Sequence, residues 1–157
     1  MPTVTITCRV PHGDAGETFA RISDFPSYAD HTDAVREVRI DHAEAGTIGS
    51  TWSVNFRNGV LRWSEQDRVD PHRRRIDFTQ TAGDFAHFAG HWRVEPGGDA
   101  VDVEFGAEFD LGMPSLAALI DPIAEQTLDD NMRLIIRGLL GDTVRFTDTP
   151  ALAPSGS

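Results

Sequence analysis

Two carboxyl groups stand where an apolar face is expected. Between Gly59 and Val69, the residues Leu61, Trp63 and Val69 alternate with polar neighbours at period two. Glu65 and Asp67 fall in the same phase. A glutamate held among aromatic side chains is poorly solvated when charged, so its pKa rises and it can serve as a general acid/base. Glu65 is the leading candidate for that role. The competing reading is a bulge that turns both carboxyls outward at the sheet end; it is preferred for both, and more strongly for Asp67. Gln80 and Asn131 are the other polar residues on apolar faces, where an unpaired amide would cost free energy. Tyr28 is the only tyrosine. It is placed either to donate its phenolic proton to a ligand carbonyl or to pack as part of a lid. His31 reads as a surface histidine.

Other chemistries find little support. The 14 basic residues are all arginine, so no lysine is available for a Schiff base. His87 and His91 are four apart on a predicted strand, out of phase with the aromatics and without a third ligand, which argues against a metal site. No phosphate-binding glycine loop, nucleotide fingerprint or Ser-His-Asp arrangement is present. Cys8 is the single cysteine, which rules out an internal disulfide and fits a reducing cytoplasm.

Positioning these groups requires a sheet. Val4, Ile6, Cys8 and Val10 mark a first strand, Thr3 to Val10. Asp14 is placed to cap a short helix through Glu17, Phe19 and Ile22, and Pro26 opens a second. Strands are predicted at 35–41, 50–57, 59–69, 75–81, 85–95 and 100–111, with Asn58-Gly59 as the clearest hairpin turn. From Ser115 to Leu140 the apolar period becomes helical, through Leu128, Ile135 and Leu139. Pro122 either kinks this helix or ends a first segment. The expected fold is therefore α+β, a seven-stranded curved antiparallel sheet gripping a long C-terminal helix, with two short helices after strand 1 and an internal cavity. Residues 1–145 form one domain, and residues 146–157, rich in Pro, Ala, Ser and Thr, read as a disordered tail.

Inward phases then supply the cavity lining. They contain Trp52, Phe56, Trp63, Phe78, Gln80, Phe88, Trp92 and Phe105 from the strands, with Leu128 and Asn131 on one face of the helix. Flat aromatic faces suit a planar hydrophobic ligand, although the same residues could simply fill a core.

The chain has 157 residues and a net charge of -11. That balance argues against nucleic acid and against an anionic membrane surface. The one basic run, Arg73-Arg74-Arg75, falls at a turn and reads as a solvated hairpin end. The first residues carry no signal-peptide pattern, and no apolar run is long enough to span a bilayer.

Three segments carry a family resemblance: Ile22-Ser23-Asp24-Phe25-Pro26-Ser27-Tyr28, Trp63-Ser64-Glu65-Gln66-Asp67-Arg68-Val69-Asp70-Pro71, and Phe88-Ala89-Gly90-His91-Trp92-Arg93-Val94-Glu95-Pro96. With the element order, they resemble the START-related helix-grip superfamily (SRPBCC) of polyketide cyclases, coenzyme Q-binding proteins and birch-pollen-allergen-like proteins. Within it, the chain looks most like single-domain bacterial polyketide aromatase/cyclases. That resemblance implies a cytoplasmic protein without a cofactor. It would fold a poly-β-ketone in its cavity, released or presented by an acyl carrier protein, and promote aldol closure and dehydration. It also implies an arginine from this part of the sheet holding ketide oxygens, for which Arg57 is the candidate, although Arg57 falls in the polar phase of its strand. The alternatives are a non-catalytic carrier or sensor of a quinone, lipid or pathway product, and an interaction protein that dimerises through a sheet edge.

Overall fold

Strand β1 (Thr3–Pro11) leads into two short helices, α1 (Ala15–Ser23) and α2 (Tyr28–His31), joined through a 3-10 turn at Phe25–Ser27. Six strands follow: β2 (Val35–Glu44), β3 (Thr47–Phe56), β4 (Gly59–Asp70), β5 (Arg75–Gly83), β6 (His87–Gly97) and β7 (Ala100–Asp110). The long helix α3 (Ala117–Leu140) and a two-residue strand β8 (Arg145–Phe146) are the last of the described elements. The computed structural model describes residues 2–56, 59–112 and 117–148, with the backbone alone over 117–121. Arg57 lies outside the described residues.

The strands form one sheet in the order β2-β3-β4-β5-β6-β7-β1-β8. All its pairings are antiparallel. The α+β helix-grip class is as expected, but the sheet has eight strands rather than seven. The eighth falls at the start of the segment whose composition reads as a tail. Cys8 pairs with Phe146 and Arg9 with Arg145. The Thr147 amide donates to the Thr7 carbonyl at 2.9 Å, and Asp148 accepts from Arg133 at 2.6 Å. These bonds hold residues 145–148 against β1 and α3, and β8 pairs the backbone of Cys8 and Arg9 at the sheet edge.

Sheet curvature follows from what α3 touches. The helix contacts both β1 and β3, which are separated in the sheet by four strands. Laid flat, five strand spacings would span about 24 Å, twice the width of a helix. The sheet must therefore curl around α3, and the strands between, β4 to β7, form the floor of an interior space.

Local sequence explains the pieces that hold this shape. Asp14 caps α1, accepting from the Glu17 amide at 2.9 Å. Pro122 sits inside α3 without ending it, near the start where only one ladder bond is forfeited. Gly138 lets α3 and α2 approach closely: a Cβ there would collide with the His31 carbonyl oxygen.

Candidate functional site

The concave face is lined as the strand phases require. Trp52 and Val54 from β3, Trp63, Glu65 and Asp67 from β4, Ile76 and Phe78 from β5, Phe88 and Trp92 from β6, and Phe105 from β7 border one cavity. Leu128, Asn131, Met132 and Ile135 from α3 roof it, and Phe25 and Tyr28 close one side. Its free volume is about 60 Å³. That is room for a few waters, so a larger ligand would have to displace aromatic side chains.

All three tryptophans of the chain border this space. Trp52 and Trp63 are cross-strand partners whose rings lie parallel, 6.0 Å apart at 2°. Phe88 meets Trp63 edge-on at 5.3 Å, and Phe105 meets Trp92 at 4.9 Å. Such edge-to-face contacts follow the ring quadrupoles and hold each ring in a set orientation.

Both carboxyls of β4 face inward. Glu65 is 5% exposed and Asp67 is fully buried. A bulge does occur beside them, between Ser64 and Glu65 in the pairing with β5. The extra residue is Thr81 on the β5 side, so β4 keeps its alternation and the expected outward turn of Asp67 does not happen. The Glu65 Oε1 accepts from the Trp63 indole at 2.7 Å. The Asp67 Oδ2 accepts from the Ser50 hydroxyl at 2.5 Å, and the Ser50 Oγ accepts from the Trp52 indole at 2.8 Å. Burial first, and then the neighbouring Asp67, hold the Glu65 carboxyl well above the usual carboxylate range. Burial also raises Asp67, but hydrogen bonds from Glu65 and Ser50 oppose the rise. Of the two carboxyls, Glu65 is therefore the one pushed further toward its protonated form.

Tyr28 borders the cavity, but its hydroxyl donates to the Ile22 carbonyl at 2.5 Å. That bond pins the break between α1 and α2, so the phenolic proton is already committed. Burial holds the Tyr28 pKa well above its ordinary value. Asn131 spends one amide hydrogen on the Asn55 carbonyl at 2.6 Å. Gln80 does not border the cavity. Its amide donates to the Phe85 carbonyl at 2.8 Å and accepts from the Phe85 amide at 3.3 Å, closing the β5–β6 connection. Phe56 packs against the core from the hairpin end of β3, away from the cavity lining.

The remaining candidates sit elsewhere. His87 and His91 point outward from β6 and pair with Glu108 at 2.9 Å and Glu104 at 2.7 Å on β7. Arg73 and Arg75 pair with Asp70 and Asp77 around the β4–β5 turn. Burial pushes the Cys8 thiol up to about 12, which leaves it inert in the core. Among the described residues, no group of three His, Cys, Asp or Glu side chains could hold a metal ion. None of the described helices is long and apolar enough to cross a membrane.

Ser50, Val54, Ile76, Met132 and Ile135 border or support the site beyond the residues that the sequence singles out for it, and Asp67 faces inward where the preferred sequence reading turns it outward. Ser50 carries no signal in the sequence, because a serine at a strand start is common and its two hydrogen bonds depend on register. The period of β4 does place Asp67 correctly.

A family model described as polyketide cyclase / dehydrase and lipid transport matches residues 13–134. The chain belongs to that family. Solved structures share the fold at low identity. A protein of Thermus thermophilus superposes with a TM-score of 0.82 at 20% identity, over 88% of this chain and 94% of its own. The Zhui aromatase/cyclase of a Streptomyces species gives 0.80 at 18% identity, over 90% and 92%. A START superfamily protein of Mycobacterium smegmatis gives 0.74 at 15%, over 89% and 97%. No curated protein matches the sequence.

Proposed function

We propose that the protein is a cofactor-independent cyclase/dehydratase acting on a small ketide-type intermediate, free or presented by an acyl carrier protein. The observation that carries this reading is Glu65, a buried carboxylic acid facing an aromatic cavity. A plain carrier of hydrophobic molecules has no use for such a group, whose burial costs stability. A neutral acid at physiological pH can protonate an aldol oxygen or a departing hydroxyl. The stacked and edge-on aromatics hold a folded chain so that the reacting carbons meet, which supplies much of the rate by orientation. The family match and the aromatase/cyclase neighbour support the same class of reaction.

The aldol adduct of benzaldehyde and acetone is a suitable probe, since its dehydration product absorbs strongly in the near ultraviolet. Wild-type protein should accelerate enone formation. Glu65→Gln should still bind the adduct, seen by tryptophan quenching, and lose turnover by at least about 100-fold. Binding by the wild type without any enone would refute the enzyme reading and point to a carrier.

A further inference from the structure

Glu65 acting alone leaves its neighbour without a role. Asp67 lies two residues along the same strand, on the same face, bordering the same cavity. Side by side on one face of β4, the two buried carboxyls act on each other's charge. Two buried carboxylates this close cannot both ionise, so the pair shares one proton. The Glu65 Oε1 and the Asp67 Oδ2 are tied down by two indoles, Trp63 directly on Glu65 and Trp52 through Ser50 on Asp67. The Asp67 Oδ1 receives no N–H or hydroxyl from the described residues. The one proton available to it is the one that Glu65 carries.

We propose that Glu65 and Asp67 work as an acid–base pair on a β-hydroxy ketone, Glu65 giving its proton to the departing hydroxyl and Asp67 taking the α-hydrogen. This rests on the catalytic reading of Glu65 given above. The C–O bond breaks and water leaves. The C–H bond breaks and its electron pair becomes the new C=C bond. Glu65 ends as the carboxylate and Asp67 as the acid, and one proton passing back between them restores the starting state. No oxidant, metal or cofactor enters the balance. Both carboxyls project from one face of one strand, so hydroxyl and hydrogen must leave from the same face of the substrate. The substrate class is therefore a β-hydroxy ketone with an α-hydrogen syn to its hydroxyl. A substrate whose α-carbon carries no hydrogen would bind without reacting.

Ser50 is a positioning residue in this scheme. Its hydroxyl occupies Oδ2, while Oδ1 has no hydrogen-bond partner among the described residues. The other titratable group bordering the cavity, Tyr28 of α2, is buried with its hydroxyl bound to Ile22, and Asn131 of α3 carries no charge.

The two half-reactions can be read separately. Dehydration of the benzaldehyde–acetone adduct reports the acid and base together. Exchange of α-hydrogens of the saturated ketone benzylacetone in deuterated water, followed by proton NMR, reports the base alone. Wild type should do both. Glu65→Gln should lose dehydration and keep exchange. Asp67→Asn should lose both by at least about 100-fold while tryptophan quenching shows the ligand still bound. Ser50→Ala should retain the pair but shift the acid limb of the pH–rate profile upward, because the hydroxyl that stabilises the Asp67 carboxylate is gone. That variant keeps the proposal testable should Asp67→Asn fail to fold. Dehydration by folded Asp67→Asn within a few-fold of wild type would overturn the pair and leave Glu65 acting alone. An unshifted acid limb in Ser50→Ala would do the same. Absence of turnover in the wild type, with the adduct bound, would overturn the catalytic reading and the pair with it.

Discussion

Replacing Glu65 by Gln should change how stability depends on pH. Gln is nearly isosteric with the neutral acid, and it keeps an acceptor for the Trp63 indole and a donor toward Asp67. In acid, where the unfolded-state glutamate (ordinary value 4.5) is also protonated, the variant should match wild type within about 1 kcal/mol. Above that pH the unfolded chain releases the Glu65 proton while the folded chain keeps it, since burial and Asp67 raise the folded pKa. The folded state then binds one more proton than the unfolded state. The Glu65 contribution to wild-type stability therefore falls as pH rises, by about 1.4 kcal/mol per unit, until the folded pKa is passed. Across two units this is about 2.7 kcal/mol. With a urea dependence of about 2 kcal/mol/M, it is a midpoint shift of about 1.4 M. Urea titrations of both proteins at several pH values between about 5 and 8, read by tryptophan emission, give the difference directly. Other groups largely cancel in that difference. The variant should gain on wild type as pH rises. A difference that stays flat across this range would mean that Glu65 is ionised in the folded protein, and the neutral-acid reading would fall.

Trp63→Phe removes the hydrogen bond that holds the Glu65 pKa down. It should cost about 1–3 kcal/mol at neutral pH and extend the pH-dependent loss of stability to higher pH, as measured by the same titrations. Arg133→Met should cost about 3 kcal/mol in urea unfolding, because it strands Asp129, whose side chain is 8% exposed, and frees Asp148. Gly138→Ala should lower the thermal midpoint, with a cost of about 1–3 kcal/mol, since its methyl would collide with the His31 backbone.

The strands are legible in the sequence because each has one wet and one dry face, which imposes period two on its residues. The same alternation places Trp52, Trp63, Phe78, Phe88, Trp92, Phe105 and Glu65 around the cavity. Phase says which face a residue takes but not what it meets there. Gln80 and Phe56 have inward phase, yet one closes a turn and the other packs at a hairpin end. Tyr28 is legible as part of the closing wall, but its bond to Ile22 depends on the angle between two short helices. Phe85 is buried ahead of β6, stacked 4.6 Å from Phe88, although it lies outside the inward phase. The C-terminal segment has the composition of a tail and yet is held in place as far as Asp148. Its order comes from contacts 140 residues distant, Thr147 with Thr7, and from Phe146 beneath Arg133 and Arg137. Composition counts residues within the segment and is blind to a partner at the other end of the chain.

That segment turns the lone cysteine into a gauge. The Cys8 thiol is sealed in the core, and its strand neighbour Phe146 belongs to β8. A maleimide or disulfide reagent can reach the sulfur only when the packing around this strand opens. In native buffer, the alkylation rate divided by that of the unfolded chain gives the free energy of this opening. No label needs to be introduced, and no second thiol competes. Slower modification in the presence of a ligand would show that filling the cavity tightens the packing around β1.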